Sequence, residues 1–158
     1  MSSKFPGFQP ADLPDTVRVA VAAARFNGEI VDELLDACVR RLDELGIDGS
    51  RVEIYRVPGA FELPVAAKML ARTRKFMSII CLGCIVRGDT PHFDYVAGEA
   101  ARGIQDVALS ELMPVIFGVL TVNTEDQAHE RVGGKYNYGE RAAEAAAEMM
   151  ALMLRMKR

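Results

Sequence analysis

The sequence predicts an α/β fold: a three-layer α/β/α sandwich around a four-stranded parallel sheet, with an extended N-terminal arm over residues 1–16 and a single domain over residues 17–158. Three observations predict it. Short β-branched runs alternate with stretches of helical periodicity, joined by connections of a few residues, as parallel strands linked by right-handed helical crossovers require. Residues 78–86 (SIICLGCIV) are apolar on both faces, the mark of a strand covered by helices above and below. The chain has 158 residues, of which 50% are hydrophobic and 26% charged, which suffices for one core without disulfide staples.

Each element follows from local pattern. Residues 1–16 hold Pro6, Pro10 and Pro14 with Phe5 and Phe8 and show no periodicity, so they read as an arm. Residues 16–24 (TVRVAVAAA) form a short apolar strand. After Arg25-Phe26-Asn27-Gly28 the period changes to about 3.6, with Ile30, Val31, Leu34, Leu35, Cys38, Leu42 and Leu45 on one face, until Gly46 stops the helix. Residues 51–57 (RVEIYRV) alternate as a strand and Pro58-Gly59 breaks it. Pro64 is tolerable only in a first turn, which sets a helix over residues 62–73. After the apolar strand, Thr90-Pro91 reads as a cap and a first-turn proline for a helix from His92 to about Leu112. Residues 115–122 (VIFGVLTV) are the fourth strand, Thr124 caps a short helix through Arg131, and residues 140–157 form an alanine- and methionine-rich last helix.

Composition removes whole classes of function. A net charge of −3, from 19 Lys and Arg against 22 Asp and Glu with no long basic run, argues against nucleic acid or a membrane surface as partner. No stretch reaches the roughly 18 apolar residues of a membrane span, and the start (MSSKFPGFQPADLPD) lacks a signal peptide's apolar core, so the expected compartment is the cytoplasm. The odd count of three cysteines fits reduced thiols.

In open parallel sheets ligands sit beyond the carboxyl ends of the strands, which directs attention to residues 25–28, 58–62, 87–92 and 121–124. The loop Arg87-Gly88-Asp89-Thr90-Pro91-His92 enters a helix whose free N–H groups favour an anion, or it is a capped turn without a ligand. His92, in the first turn of that helix, is placed either to move protons near neutral pH or to cap. His129 reads as solvent-exposed, and two isolated histidines without ligand spacing make a metal site unexpected. Cys81 and Cys84 spell C-x-x-C, but residues three apart on a strand point to opposite faces, so packing is their expected role. Phe26 and Phe61 stand at strand exits, where a flat heterocycle or a neighbouring subunit is needed to cover a ring. Arg131 ends its short helix before Gly133-Gly134-Lys135, as a phosphate clamp or as a partner for the helix dipole. Met149, Met150, Met153 and Met156 read as core or subunit packing.

Taken together, the segments ARFNGEI (24–30), VPGAFELP (57–64), LGCIVRGDTPHFDYV (82–96) and VIFGVLTVNTEDQAHER (115–131), with the alanine-rich end, resemble lumazine synthases over about residues 17–155. The resemblance implies condensation of 5-amino-6-(D-ribitylamino)uracil with 3,4-dihydroxy-2-butanone 4-phosphate to give 6,7-dimethyl-8-ribityllumazine, phosphate and water, without metal or organic cofactor. It implies that Phe26, beside Asn27, stacks on the pyrimidine, that Ala60, Phe61 and Glu62 hold the ribityl chain and ring, and that Cys84, Ile85 and Val86 offer backbone contacts. Gly88, Asp89 and Thr90 would cradle the phosphate, through backbone at Asp89 because its carboxylate would repel the anion. His92 would transfer protons. Arg131 would grip the phosphate, with Phe117 and Lys135 completing the pocket from an adjacent subunit of a homopentamer, and Arg87 would be a third cation near the phosphate. Two other classes compete: a flavodoxin-like flavin or nucleotide module, which needs a Ser/Thr-rich first loop that residues 25–28 lack, and an inactive shell-forming protein, which has no use for His92 and Arg131 together.

Overall fold

A computed structural model describes residues 13–133 and 137–157. Its central strand, β1 (Val19–Ala24), consists only of alanine and valine and is buried along its whole length, so small side chains let a helical layer approach on each face. Strands β2 (Val52–Val57), β3 (Ser78–Val86) and β4 (Val115–Val122) join it in one parallel sheet of order β2-β1-β3-β4. Alternation along β1 divides the core. Val19, Val21 and Ala23 pack under α1 (Gly28–Glu44), α4 (Glu125–Val132) and α5 (Tyr138–Met156), while Ala20 and Ala22 pack under α2 (Leu63–Arg72) and α3 (His92–Glu111). The three-layer sandwich is therefore the observed architecture. Cys84 belongs to the first core and Cys81 to the second, as strand parity requires.

Helices α1 and α5 touch at their backbones. A Cβ on Gly139 would stand 2.1 Å from the Leu34 carbonyl oxygen, so no residue but glycine fits at this crossing. The one fully buried polar side chain among the described residues, Ser78, is satisfied by donating to the Pro114 carbonyl at 3.1 Å.

Boundaries differ from the sequence expectation where side chains cap unexpectedly. The first strand begins at Val19 rather than at residue 16. Arg51 lies in a 3-10 turn (Gly49–Arg51) capped by Asp48, which accepts from the Ser50 N–H, so β2 starts one residue later than expected. A second 3-10 turn (Ala60–Glu62) precedes α2, with Pro64 in the first turn of the helix as predicted. Helix α5 starts two residues early because the Asn137 carboxamide accepts from the Gly139 N–H and donates to the Val132 carbonyl. Thr124 caps α4 as expected, accepting from the Gln127 N–H at 3.2 Å. Of the predicted arm, residues 1–12 lie outside the described residues.

Candidate active site

The strand order creates the site. From β1 the chain crosses outward to β2 and then returns to β3 on the other side of β1, leaving a crevice at the carboxyl ends of β1 and β3. The crevice is deepened by register. The last β1–β3 pair is Ala23 with Leu82, whereas β3 and β4 stay paired through Val86 and Val122, so residues 84–86 outrun β1, which ends at Ala24. Beyond β1 the chain leans away toward β2, with the Arg25 N–H donating to the Val57 carbonyl and the Phe26 N–H to the Pro58 carbonyl. Asn27 turns the chain into α1 in the left-handed conformation (φ 56°), and its carboxamide donates to the Cys84 carbonyl at 2.7 Å. The Arg87 N–H points to β4, where it donates to the Val122 carbonyl, so Val86, one residue earlier, turns its backbone groups the opposite way, toward the crevice.

A cavity of about 690 Å³ fills this crevice, a size suited to a small organic ligand. It brings together Phe26, Ala60, Phe61, Glu62, Cys84, Ile85, Val86, Gly88, Thr90 and His92, ten of the residues singled out from the sequence, with Pro58, Gly59, Phe93, Tyr95 and Val96. The Phe26 and Phe61 rings are 71% and 58% exposed, so two apolar walls stand open to a ligand. A Cβ on Gly59 would lie 3.4 Å from Glu62 Oε2 and 3.9 Å from the Phe26 Cβ, which shows how closely the first two loops converge. His92 is exposed at the start of α3, its N–H donating to Thr90 Oγ1 at 3.4 Å. Pro91 rather than Thr90 occupies the cap position of α3, so Thr90 serves only through this longer bond.

Other expected residues fall elsewhere. Asn27 serves the β1–α1 turn and Asp89 is exposed but does not line the cavity. Phe117, 44% exposed on the edge strand β4, and Arg131, whose Nη1 donates to the Gln127 carbonyl at 2.9 Å, are also not in the wall of this chain's cavity. Nor is Arg87, whose guanidinium is engaged with Phe93, Asp94 and Asn123. Lys135 lies outside the described residues. Of the four loops, 121–124 contributes no lining residue. Tyr95, 70% exposed in the wall, went unnoticed in the sequence although it stands three residues after His92, on the same helical face.

The thiols are inert by environment. Burial pushes Cys38 and Cys81 up to about 12, and burial with the nearby Glu125 charge pushes Cys84 up to about 11, so none offers a thiolate near neutral pH. Among the described residues no three His, Cys, Asp or Glu side chains converge as a metal site, and no helix is long and apolar enough to cross a membrane.

Comparison with known proteins gives a consistent result. A family model described as 6,7-dimethyl-8-ribityllumazine synthase matches residues 16–154. Proteins of that name from Syntrophus aciditrophicus and Synechocystis are similar at 46% and 47% identity, covering 87% and 94% of this chain and 90% and 92% of their own lengths. One from Salinibacter ruber is 44% identical over 90% of this chain and 92% of its own.

Proposed function

The chain belongs to the 6,7-dimethyl-8-ribityllumazine synthase family, and from that premise we propose the following division of labour among its residues. The reaction condenses 5-amino-6-(D-ribitylamino)uracil with 3,4-dihydroxy-2-butanone 4-phosphate, releasing phosphate and water, in riboflavin biosynthesis. The observation that carries the residue assignments is the cavity at the β1/β3 crevice, where two open phenylalanine rings, a glycine-containing loop at a helix N-terminus and a histidine share one wall.

In this reading the pyrimidine lies on Phe26, with Ala60, Phe61 and Glu62 along the ribityl chain and the backbone of residues 84–86 along the edge of the heterocycle. The phosphate sits over residues 88–90, where the positive dipole end of α3 favours an anion. His92 moves protons as the amine attacks the ketone, water leaves, phosphate is eliminated and the second amine closes the ring. Because both reactants are reactive on their own, holding them in register supplies most of the acceleration. Mixing the two substrates with the protein and following lumazine absorbance tests the reading. His92→Ala is expected to slow turnover without abolishing it: an unchanged rate removes His92 from the mechanism, and a dead enzyme removes the proximity argument.

Phe117, Arg131 and Lys135 act in this reading on the cavity of a neighbouring subunit, with a homopentamer as the smallest complete unit. Support comes from the position of Phe117 and Arg131 outside their own chain's cavity and from the apolar side chains left open on α5, such as Met156, which is 76% exposed. A monomer by light scattering at micromolar concentration, or an Arg131→Ala variant with full activity, would remove the shared site. The three buried free thiols favour a reducing compartment, the cytoplasm. A flavodoxin-like module is disfavoured because the Arg25 and Phe26 N–H groups of the first loop are spent on the Val57 and Pro58 carbonyls.

A further inference from the structure

Arg87 is the first residue after β3 and makes more connections than its position in an exposed loop requires. Its backbone N–H donates to the Val122 carbonyl at 2.8 Å and its Nε to Asn123 Oδ1 at 3.0 Å. The guanidinium carbon lies 4.3 Å from the centroid of the Phe93 ring, and Nη1 stands 3.5 Å from Asp94 Oδ1. One planar cation therefore touches the end of β4 and the first turn of α3 together, spanning the loop of residues 88–91. Only a guanidinium can offer an in-plane donor to Asn123 and a face to the Phe93 ring in the same pose.

The anchor on the β4 side is itself fixed. The Asn123 N–H donates to Gln127 Oε1 at 2.7 Å while the Gln127 N–H donates to Thr124 Oγ1, a reciprocal cap that ties Asn123 to the start of α4. On the other side, Phe93 and Asp94 follow His92 directly. Within the loop the restraints are few: His92 N–H to Thr90 Oγ1 at 3.4 Å, Asp94 N–H to the Pro91 carbonyl at 2.9 Å, and nothing within 4 Å of a Cβ placed on Gly88.

We infer that Arg87 is a positioning residue: it braces the first turn of α3 against the capped start of α4, and so holds the backbone of residues 88–90 and the His92 side chain in register at the cavity. The inference rests on the proposed lumazine synthase site, and it assigns Arg87 no contact with substrate, since it does not line the cavity. The brace is specific to one end of the site. Phe26 and Phe61 depend on the loops after β1 and β2 and are untouched by it.

The test uses full-length Arg87→Met, which keeps an apolar stem over Phe93, and Arg87→Lys, which keeps the charge. Steady-state lumazine formation is expected to show, for Arg87→Met, at least a tenfold rise in KM for the butanone phosphate, with the KM for the pyrimidine changed less than twofold. Arg87→Lys is expected to recover little of the loss. Equal changes in both KM values, or full recovery by Lys, would overturn the inference, the first pointing to general loosening and the second to charge alone. Amide hydrogen exchange, which needs no substrate, is the second readout: the amides of residues 92–94 are expected to exchange at least tenfold faster in Arg87→Met, with α1 and α5 unchanged. Unaltered exchange overturns the brace even if the enzyme is impaired. A wild-type protein that forms no lumazine would refute the function and leave the exchange result to decide the brace.

Discussion

Replacing Phe26 by alanine separates binding from folding at one side chain. A phenylalanine offers roughly 200 Å² for burial, and 71% of Phe26 is open, so about 140 Å² is available to a ligand. A flat ring laid on one face covers about half of this, worth ~1.8 kcal/mol at ~25 cal/mol per Å², and ring-on-ring geometry adds ~0.5–1.5 kcal/mol. The KM for the pyrimidine is therefore expected to rise roughly 45- to 230-fold in Phe26→Ala. Because so little of the ring is buried by the fold itself, the unfolding free energy from urea titration should change by no more than about 0.5 kcal/mol. Lumazine absorbance with the pyrimidine varied at saturating butanone phosphate, beside urea unfolding of both proteins, measures the two quantities. An unchanged pyrimidine KM would refute the stacking argument. A stability loss of 2 kcal/mol or more would show that the ring serves the fold.

Three further outcomes follow from packing and charge. Gly139→Ala forces a Cβ to within 2.1 Å of the Leu34 carbonyl and should cost about 3 kcal/mol, read as a fall in Tm of roughly 10 °C, whereas Gly28→Ala, with nothing within 4 Å, should stay near wild type by the same measurement. The Lys68 ammonium, bonded at 2.6 Å and aided by Arg72, holds the Glu111 carboxyl below its ordinary value of 4.5. Its ionised form thus stabilises the fold at neutral pH, and that contribution is lost as pH falls through the depressed value; Glu111→Gln should lower stability at pH 7 and flatten its decline in acid, and an unchanged acid profile would refute the pairing. With Cys84 pushed up to about 11, roughly one thiol in ten thousand is ionised at pH 7, so iodoacetamide at that pH should leave lumazine formation intact over an hour, and rapid inactivation would contradict the burial argument.

The sequence exposed the elements well because each had a local cause. Residues 78–86 could only be a doubly covered strand, and β3 occupies that span; Pro64 required a helix start, and α2 begins at Leu63. Strand order was not readable, since it depends on which crossover packs on which face, a property of no single segment. The same limit governs the site. Phe26, Phe61 and His92 are marked by an unusual residue type at a strand exit or helix start, and all three line the cavity. Arg87 had been placed by charge and proximity at the phosphate, but a long side chain can swing either way along its loop. Only the positions of Phe93, Asp94 and Asn123 reveal what it holds.

The overhang of β3 past β1 also bears on how the site tolerates mutation. Three residues of β3, paired only on the β4 side, make a step of about 10 Å, rising from the end of β1 to the end of β3. A ligand resting on that step meets main chain along its edge, while the side chain of Cys84 is directed into the helical layer behind. Amide and carbonyl groups are the same whatever residue carries them. Polar recognition along the step is thereby insulated from substitution at position 84, which is free to change with the packing of α1, α4 and α5, while deletion of one residue from the overhang would shorten the step by about 3.3 Å and invert every side chain beyond it.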